Sequence, residues 1–370
     1  MKIFLVGGGT MGSVNPLLAV CQEIKERENK KQSSAKTEFF WLGTKNGPEK
    51  EILVAQGYHY YPIQSGKLRR YFSLNNFVDP FRIFIGFLQS LFLLKKYRPD
   101  LILSAGSFVA FPVAMASKIS GTKMILHQMD LRPGLTNRLC APLATKITVA
   151  FAETQKYFSK KKSLLLATPV RRLKFADNLD LAKKQLGLFS SWPTVLVIGG
   201  SLGAEKINEL IFQNAPDLLE FCQILHVVGK GNQVVWKNKK DFPEKAERYF
   251  AWDYLSDNLG FAYQASDLLI CRAGLATISE IIALRLPAMV IPIPNNQQEE
   301  NAHFLAKKGL AVVFDQTKIK NEEFVQAVKK MLFQRNISDN IKENLKKIAA
   351  IDPTGEYVDF LQKIIFEKIK

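Results

Sequence analysis

Cysteine and histidine are scarce in this chain, four of each in 370 residues, and neither is clustered. Cys21, Cys140, Cys222 and Cys271 lie far apart with no paired spacing, and no histidine joins them in a zinc-ligand pattern. A disulfide framework and a metal site are therefore not expected. A long hydrophobic run is missing too, because the most apolar stretch, Ile83 to Leu94, is about half of the roughly 20 residues that span a bilayer. Met1 to Val6 run straight into a glycine loop and leave no room for a secretory leader, so the chain is expected to stay in a reducing cytoplasm. Acid is the charge in short supply, 34 Asp and Glu against 51 Lys and Arg. The resulting +17 suits anionic lipid, anionic substrates or nucleic acid, but no stacking motif or recognition helix speaks for the last, and nucleic acid is not an expected partner.

What is present is enough to fold. With 47% hydrophobic and 23% charged residues the chain is globular, and its length suits two α/β domains. Two openings of the same kind support that division. Lys2-Ile3-Phe4-Leu5-Val6 reads as a buried strand, followed by Gly7-Gly8-Gly9-Thr10-Met11-Gly12 and an apolar helix from Pro16 to Ile24. The pattern returns at Thr194 to Ile198, then Gly199-Gly200-Ser201-Leu202-Gly203-Ala204, then a helix through Asn208 and Leu210. Each arrangement brings backbone N–H groups at a helix N-terminus close to a phosphate or another polar ligand group. Further strands at Glu38–Leu42, Leu101–Leu103 and Lys123–Leu126, each followed by a helical pattern, predict parallel βα units. The passage between domains begins at Thr168-Pro169-Val170-Arg171-Arg172, and a final amphipathic helix follows Asp352-Pro353. The expected domains are 1–168 with 353–370, and 169–352.

Gly7, Gly9 and Gly12 fit the GxGxxG fingerprint of nicotinamide and flavin sites. The second strand, Phe39-Phe40-Trp41-Leu42, ends in Gly43-Thr44, without the acid that would hold a dinucleotide's ribose hydroxyls. A dinucleotide oxidoreductase is set aside on that ground.

The second half carries more specific chemistry. Asp267 to Glu280 reads as a strand, a small-residue turn and a helix start. Thr277 and Ser279 offer hydroxyls to a phosphate, and Glu280 a carboxylate that can accept from both hydroxyls of a ribose; a helix N-terminus also favours an acid without any ligand. After the next strand comes Asn295-Asn296-Gln297-Gln298-Glu299-Glu300-Asn301-Ala302. Its amides both donate and accept, as vicinal sugar hydroxyls require. Parallel sheets present their loops at the C-terminal ends of the strands, so these loops and Gly199–Gly203 are expected to share one crevice.

At these residues the chain resembles glycosyltransferase family 28. The resemblance runs over nearly the whole chain: the first glycine loop through Pro16, His127 to Asn137, Pro169-Val170-Arg171, Gly199-Gly200-Ser201 with Gly203-Ala204, Cys271 to Glu280, and Gln297-Gln298 with Asn301-Ala302. It implies a GT-B fold, two Rossmann-like α/β domains whose parallel sheets face a central cleft. It also implies inverting transfer of N-acetylglucosamine from UDP-GlcNAc to undecaprenyl-pyrophosphoryl-muramyl-pentapeptide, the lipid I to lipid II step of peptidoglycan synthesis, at the cytoplasmic face of the cell membrane. Carried over residue by residue, it suggests Glu280 for the ribose, Arg171, Gly200 and Ser201 near the diphosphate, Gln297, Gln298 and Asn301 beside the sugar, the Ser256 backbone against uracil, and Thr10, Met11 and Gly12 lining the donor from the other domain. No cofactor or metal is implied.

The departures from the family lie mostly in the first half. Met11 replaces a glycine of the first loop, and Ser13 stands where the family has a candidate catalytic histidine. Ser104-Ala105-Gly106-Ser107-Phe108 replaces a glycine-rich, tyrosine-containing loop, Asp130 replaces an asparagine, and Leu202 a glutamine. A neutral serine cannot take a proton unaided, so Asp130 is the candidate base beside Ser13, although an acid before Pro133-Gly134 also suits an ordinary turn. A glycosyltransferase with another lipid acceptor and a non-catalytic nucleotide-sugar-binding scaffold both remain open.

The positive charge also has a place. Lys67, Arg69 and Arg70 precede a loop containing Phe72, Phe77 and Phe81, and Arg82 with Lys95, Lys96 and Arg98 bracket Ile83 to Leu94. The apolar run reads either as a buried helix between strands or as an interfacial anchor on an anionic membrane surface, to which the protein would bind peripherally.

Overall fold

The computed structural model describes residues 1–370 except 33–35, 67–74, 200–204, 230–231, 233–245, 256 and 367–370, with the side chains of 75–77 also left out. It divides into two compact units, Met1–Arg172 with Ala350–Lys370, and Leu173–Ala349.

Unit 1 is built on seven strands, β1 (Lys2–Val6), β2 (Glu38–Gly43), β3 (His59–Pro62), β4 (Leu101–Ser104), β5 (Met124–Gln128), β6 (Lys146–Val149) and β7 (Ser163–Leu165). They pair in parallel in the order β3-β2-β1-β4-β5-β6-β7. A strand covered on both faces needs apolar side chains at every position rather than at alternate ones. Ile3 to Val6 meet that demand, all at 0% exposure. Phe4 and Val6 join a core with the helix Ala110–Ser120 and with Leu93 and Leu94. Ile3 and Leu5 join the opposite core, with the helix Asn15–Lys30 and with Tyr357, Val358 and Leu361 of the helix Pro353–Phe366. The last helix therefore completes the first unit, where Tyr357 meets the Thr148 hydroxyl at 2.8 Å.

Unit 2 carries β8 (Thr194–Ile198), β9 (Gln223–Val227), β10 (Tyr249–Trp252), β11 (Leu268–Cys271), β12 (Ala288–Val290) and β13 (Val312–Val313), all parallel in the order β10-β9-β8-β11-β12-β13. Val195 to Val197 and Leu268 to Cys271 are fully buried. In each unit the first strand lies between its successor and the strand added after the chain crosses back, β1 between β2 and β4, β8 between β9 and β11. Such switch points open a crevice at the C-terminal ends of the strands, because the connections on either side diverge to opposite faces of the sheet.

One element departs from the sequence reading. A helix spans Asn75–Tyr97, so Phe77 and Phe81 belong to the helix and not to a loop before it. Pro80 lies inside this helix at its sixth residue, past the first four N–H groups that lack intrahelical partners, so the helix forgoes one bond near its start.

Candidate functional site

In unit 1 the loop after β1 is pinned residue by residue. The Trp41 indole N–H donates to the Gly7 carbonyl at 3.0 Å, the Ser107 hydroxyl to the Gly8 carbonyl at 2.8 Å, and the Gly9 N–H to Glu49 Oε2 at 3.1 Å. Gly9 has φ +83° and a Cβ on it would stand 2.9 Å from the Phe108 ring, so any other residue would be strained and would have to displace that ring. Ser107 itself holds φ 90°, a left-handed value that costs a non-glycine residue energy and is sustained here by its bond to Gly8. Beyond Gly9, Thr10 is exposed, Met11 packs against the core beneath β1, and Gly12 is half-buried. Ser13 is buried, with its hydroxyl 3.5 Å from the Thr10 carbonyl.

The neighbouring loops continue this rim. Gln128, at the end of β5, donates to the Asp130 carbonyl at 2.7 Å and accepts from the Asn137 amide at 2.6 Å. Asn137 lies against Gly106, and the Thr154 hydroxyl holds the Leu131 carbonyl at 3.1 Å. Contacts thus run without a break from Gly8 through Ser107, Gly106, Asn137 and Gln128 to the half-buried Asp130. His127 stays off this rim. Its ring sits between the Thr148 and Thr168 hydroxyls at 2.8 and 3.0 Å, and burial pushes its pKa down to about 3, so it is a neutral, packed residue at neutral pH.

In unit 2 the loops after β11 and β12 are laced together. Arg272, half-buried, donates from Nη1 to the Ile291 and Pro292 carbonyls at 3.0 and 3.3 Å, and burial lowers its pKa. Asn301, in the helix Gln297–Lys307, donates to the Ala273 carbonyl at 3.2 Å from a buried position. Asn296 caps that helix by accepting the Gln298 N–H at 2.7 Å, and the Gln298 side-chain oxygen accepts the Ile293 N–H at 3.2 Å; Gln297 beside it is exposed. The helix Leu275–Leu284 starts from Gly274 without a side-chain cap, and Thr277 is half-buried in its first turn. Ser279 returns its hydroxyl to the Leu275 carbonyl at 2.8 Å. Glu280 is 7% exposed, and its Oε2 accepts from the Tyr263 hydroxyl at 2.6 Å. Burial and then the Glu280 charge push the adjacent Cys271 thiol up, leaving it protonated.

The structure therefore gathers Thr277, Ser279, Glu280, Gln297, Gln298 and Asn301 on the two helices that leave the C-terminal ends of β11 and β12. Thr10 to Ser13 and Asp130 share the rim at β1, β4 and β5. Arg171 falls in unit 1, because unit 2 begins at Leu173, four residues after the expected start of the second domain at 169. The reason is local: Val170 and Thr354 exchange hydrogen bonds at 3.0 and 2.7 Å, and Arg172 pairs with Glu23 and Glu26 at 2.7 Å each. Gly200, Ser201 and Ser256 lie outside the described residues. Glu49, Tyr263 and Arg272 are among the polar side chains bonded to these loops that the sequence reading assigned no role. Arg272 beside a strand end was the one with a visible signal, a lone cation in an apolar and small-residue run.

The helix Asn75–Tyr97 presents a second feature. Gly86 packs against the Gln64 backbone on its inner side, while Val78, Phe81, Phe84, Ile85, Leu88 and Phe92 are exposed, Phe81 and Phe92 at 71% and 65%. Their spacing of three and four residues makes one apolar stripe. Lys95 and Lys96 are exposed at its end; Lys67, Arg69, Arg70 and Phe72 lie outside the described residues. Among the described residues no helix is long and apolar enough to cross a membrane.

Comparison with known proteins gives a consistent result over the whole chain. Residues 3–149 match the glycosyltransferase family 28 N-terminal domain, and residues 194–352 match the glycosyltransferase family 28 C-terminal domain. A relative from Clostridium tetani (strain Massachusetts / E88), the UDP-N-acetylglucosamine–N-acetylmuramyl-(pentapeptide) pyrophosphoryl-undecaprenol N-acetylglucosamine transferase, is 34% identical over 98% of both chains. The enzyme of the same name from Lachnoclostridium phytofermentans is 35% identical over 98% of this chain and 99% of its own. Among solved structures, MurG of Acinetobacter baumannii superposes with a TM-score of 0.72 at 24% identity, covering 98% of this chain and 99% of that one, and shares the fold.

Proposed function

Because this chain belongs to glycosyltransferase family 28, we propose that it is the enzyme that moves N-acetylglucosamine, with inversion, from UDP-N-acetylglucosamine to undecaprenyl-pyrophosphoryl-N-acetylmuramyl-pentapeptide. The observation that carries this reading is the lacing of the β11 and β12 loops, which fixes a carboxylate and a set of amides at the switch point of unit 2. Glu280 accepts from the ribose hydroxyls of the donor, and Gln297 and Gln298 meet the hydroxyls of its sugar. Thr277 and the uncapped turn at Gly274 offset the diphosphate charge, and the family resemblance assigns Arg171, Gly200 and Ser201 to the diphosphate and Ser256 to uracil. These are the groups a nucleotide-sugar requires without a metal ion.

In the transfer, a hydroxyl of the muramyl sugar attacks the anomeric carbon from the face opposite the diphosphate, its proton passes to a base, and UDP leaves with the electrons of the broken bond. The base is Asp130, whose loop is held to the glycine rim through Gln128 and Asn137. Ser13, which turns its hydroxyl toward the Thr10 carbonyl, shapes the loop instead. The test is to incubate the protein with UDP-N-acetylglucosamine and a soluble analogue of the muramyl lipid and to look for the disaccharide and free UDP. Binding of the donor without product would point to a scaffold, and product with a different lipid only would point to another acceptor. In the same assay Asp130→Asn is expected to lower kcat by roughly 10²-fold or more with UDP affinity unchanged. Full turnover by that variant would remove Asp130 from the mechanism.

The lipid-borne acceptor requires the enzyme to meet a membrane, and the stripe from Val78 to Phe92 with its flanking lysines supplies the means. We assign it as a peripheral anchor on the anionic, cytoplasmic face, with aromatic rings in the interface and cations at the headgroups.

A further inference from the structure

Glu49 opens the helix Glu49–Ala55, yet it is fully buried and none of the steps above employs it. Its Oε1 accepts from the Thr44 N–H at 2.9 Å and the Thr44 hydroxyl at 2.5 Å, while Oε2 accepts from the Gly9 N–H at 3.1 Å. The Tyr60 hydroxyl stands 3.2 Å from Oε1 and donates to the Thr44 carbonyl at 2.5 Å. A Cβ on Gly8 or on Gly47 would collide with the carboxylate, so the chain leaves out two side chains to make room for it. Burying a carboxylate is costly unless every oxygen finds donors, and here the donors come from two separate loops.

We propose that Glu49 is a positioning residue for the transfer reaction, setting the path of the loop Gly7–Ser13 through the Gly9 amide; this rests on the transferase reading above. Trp41 and Ser107 hold the carbonyls of Gly7 and Gly8, and Glu49 holds the amide that follows them. With both sides of the Gly8–Gly9 peptide fixed, Gly9 is kept at φ +83°, one of several conformations open to a glycine, and the direction of Thr10 to Gly12 follows from it.

Glu49→Gln tests this selectively. An amide has one oxygen to offer, and Thr44 presents two donors against one from Gly9, so the oxygen stays with Thr44 and an N–H is turned on Gly9. Glu49→Gln is expected to lower kcat about tenfold or more, as small misplacements near reacting atoms do, with the KM for UDP-N-acetylglucosamine and the Kd for UDP unchanged. Amide exchange in the segment 7–13 should quicken about tenfold as the loop is released. Glu49→Asp, which withdraws the acceptor by one methylene, should give the same split if glutamine prevents folding. Thr44→Val removes a hydrogen bond to the same carboxylate but leaves Gly9 held, and its kcat should stay within about twofold of wild type. Wild-type kcat in Glu49→Gln, unchanged exchange, or equal losses in the Glu49 and Thr44 variants in proportion to melting temperature would overturn the proposal. Absence of transfer by the wild-type protein would instead overturn the transferase reading, and the exchange measurement, which needs no substrate, tells the two failures apart.

Discussion

Glu280→Ala is expected to weaken UDP binding by about two orders of magnitude while leaving the protein folded. A carboxylate that accepts from two ribose hydroxyls makes charge-assisted hydrogen bonds of about 1.5–3 kcal/mol each, and losing about 3 kcal/mol is roughly a 150-fold rise in Kd. The same substitution removes the acceptor of the buried Tyr263 hydroxyl, which now donates to Glu280 at 2.6 Å, and costs about 1–3 kcal/mol of stability. The two effects separate in Tyr263→Phe, which removes the hydroxyl and keeps the carboxylate. Its melting temperature should fall modestly, and its affinity for UDP should stay within about tenfold of wild type. Calorimetric titration of both variants makes the comparison. Equal loss of affinity in the two would show that Glu280 acts by holding the fold rather than by meeting the nucleotide.

The second large effect is expected at the membrane. Phe81→Glu, Phe84→Glu and Phe92→Glu combined should abolish sedimentation with anionic vesicles, while turnover of a soluble acceptor analogue stays near the wild-type value. Each ring is more than half exposed, so little of the fold's own packing is lost. Burying such a side chain in an apolar environment contributes about 1.5–3 kcal/mol, and three of them account for a partition change of well over 10²-fold. Wild-type binding should also weaken with salt, since the adjoining lysines act at a distance that ions screen. Vesicle binding indifferent to the three substitutions would place the membrane contact elsewhere.

The sequence revealed those parts whose physics is local. Ile3 to Val6 and Val195 to Val197 form unbroken apolar runs because both faces of a parallel strand are covered, and the glycines that follow mark the turns. The placement of Glu280 and Gln298 on the helices that follow β11 and β12 was readable from the strand-and-turn pattern. Partners distant along the chain were not. Glu49 after Gly47-Pro48 looks like an acid favoured by a helix start, and nothing nearby shows that Gly9, forty residues earlier, will donate to it. Asn301 reads as a sugar-binding amide, whereas its amide nitrogen braces Ala273. The apolar run near Ile83 could not be divided by composition into buried and exposed sides. The packing of Gly86 against Gln64 and the burial of Ser90, Leu93 and Leu94 fix which face turns inward.

The account depends on where uridine diphosphate lies, and a crystal structure of the protein with UDP tests that most directly. The nucleotide is predicted at the C-terminal ends of β8, β11 and β12, its ribose hydroxyls within about 3.2 Å of the Glu280 carboxylate and its terminal phosphate directed toward Gln298. UDP bound at the Gly7–Ser13 loop instead, or a well-formed unit 2 crevice left vacant at saturating nucleotide, would contradict it.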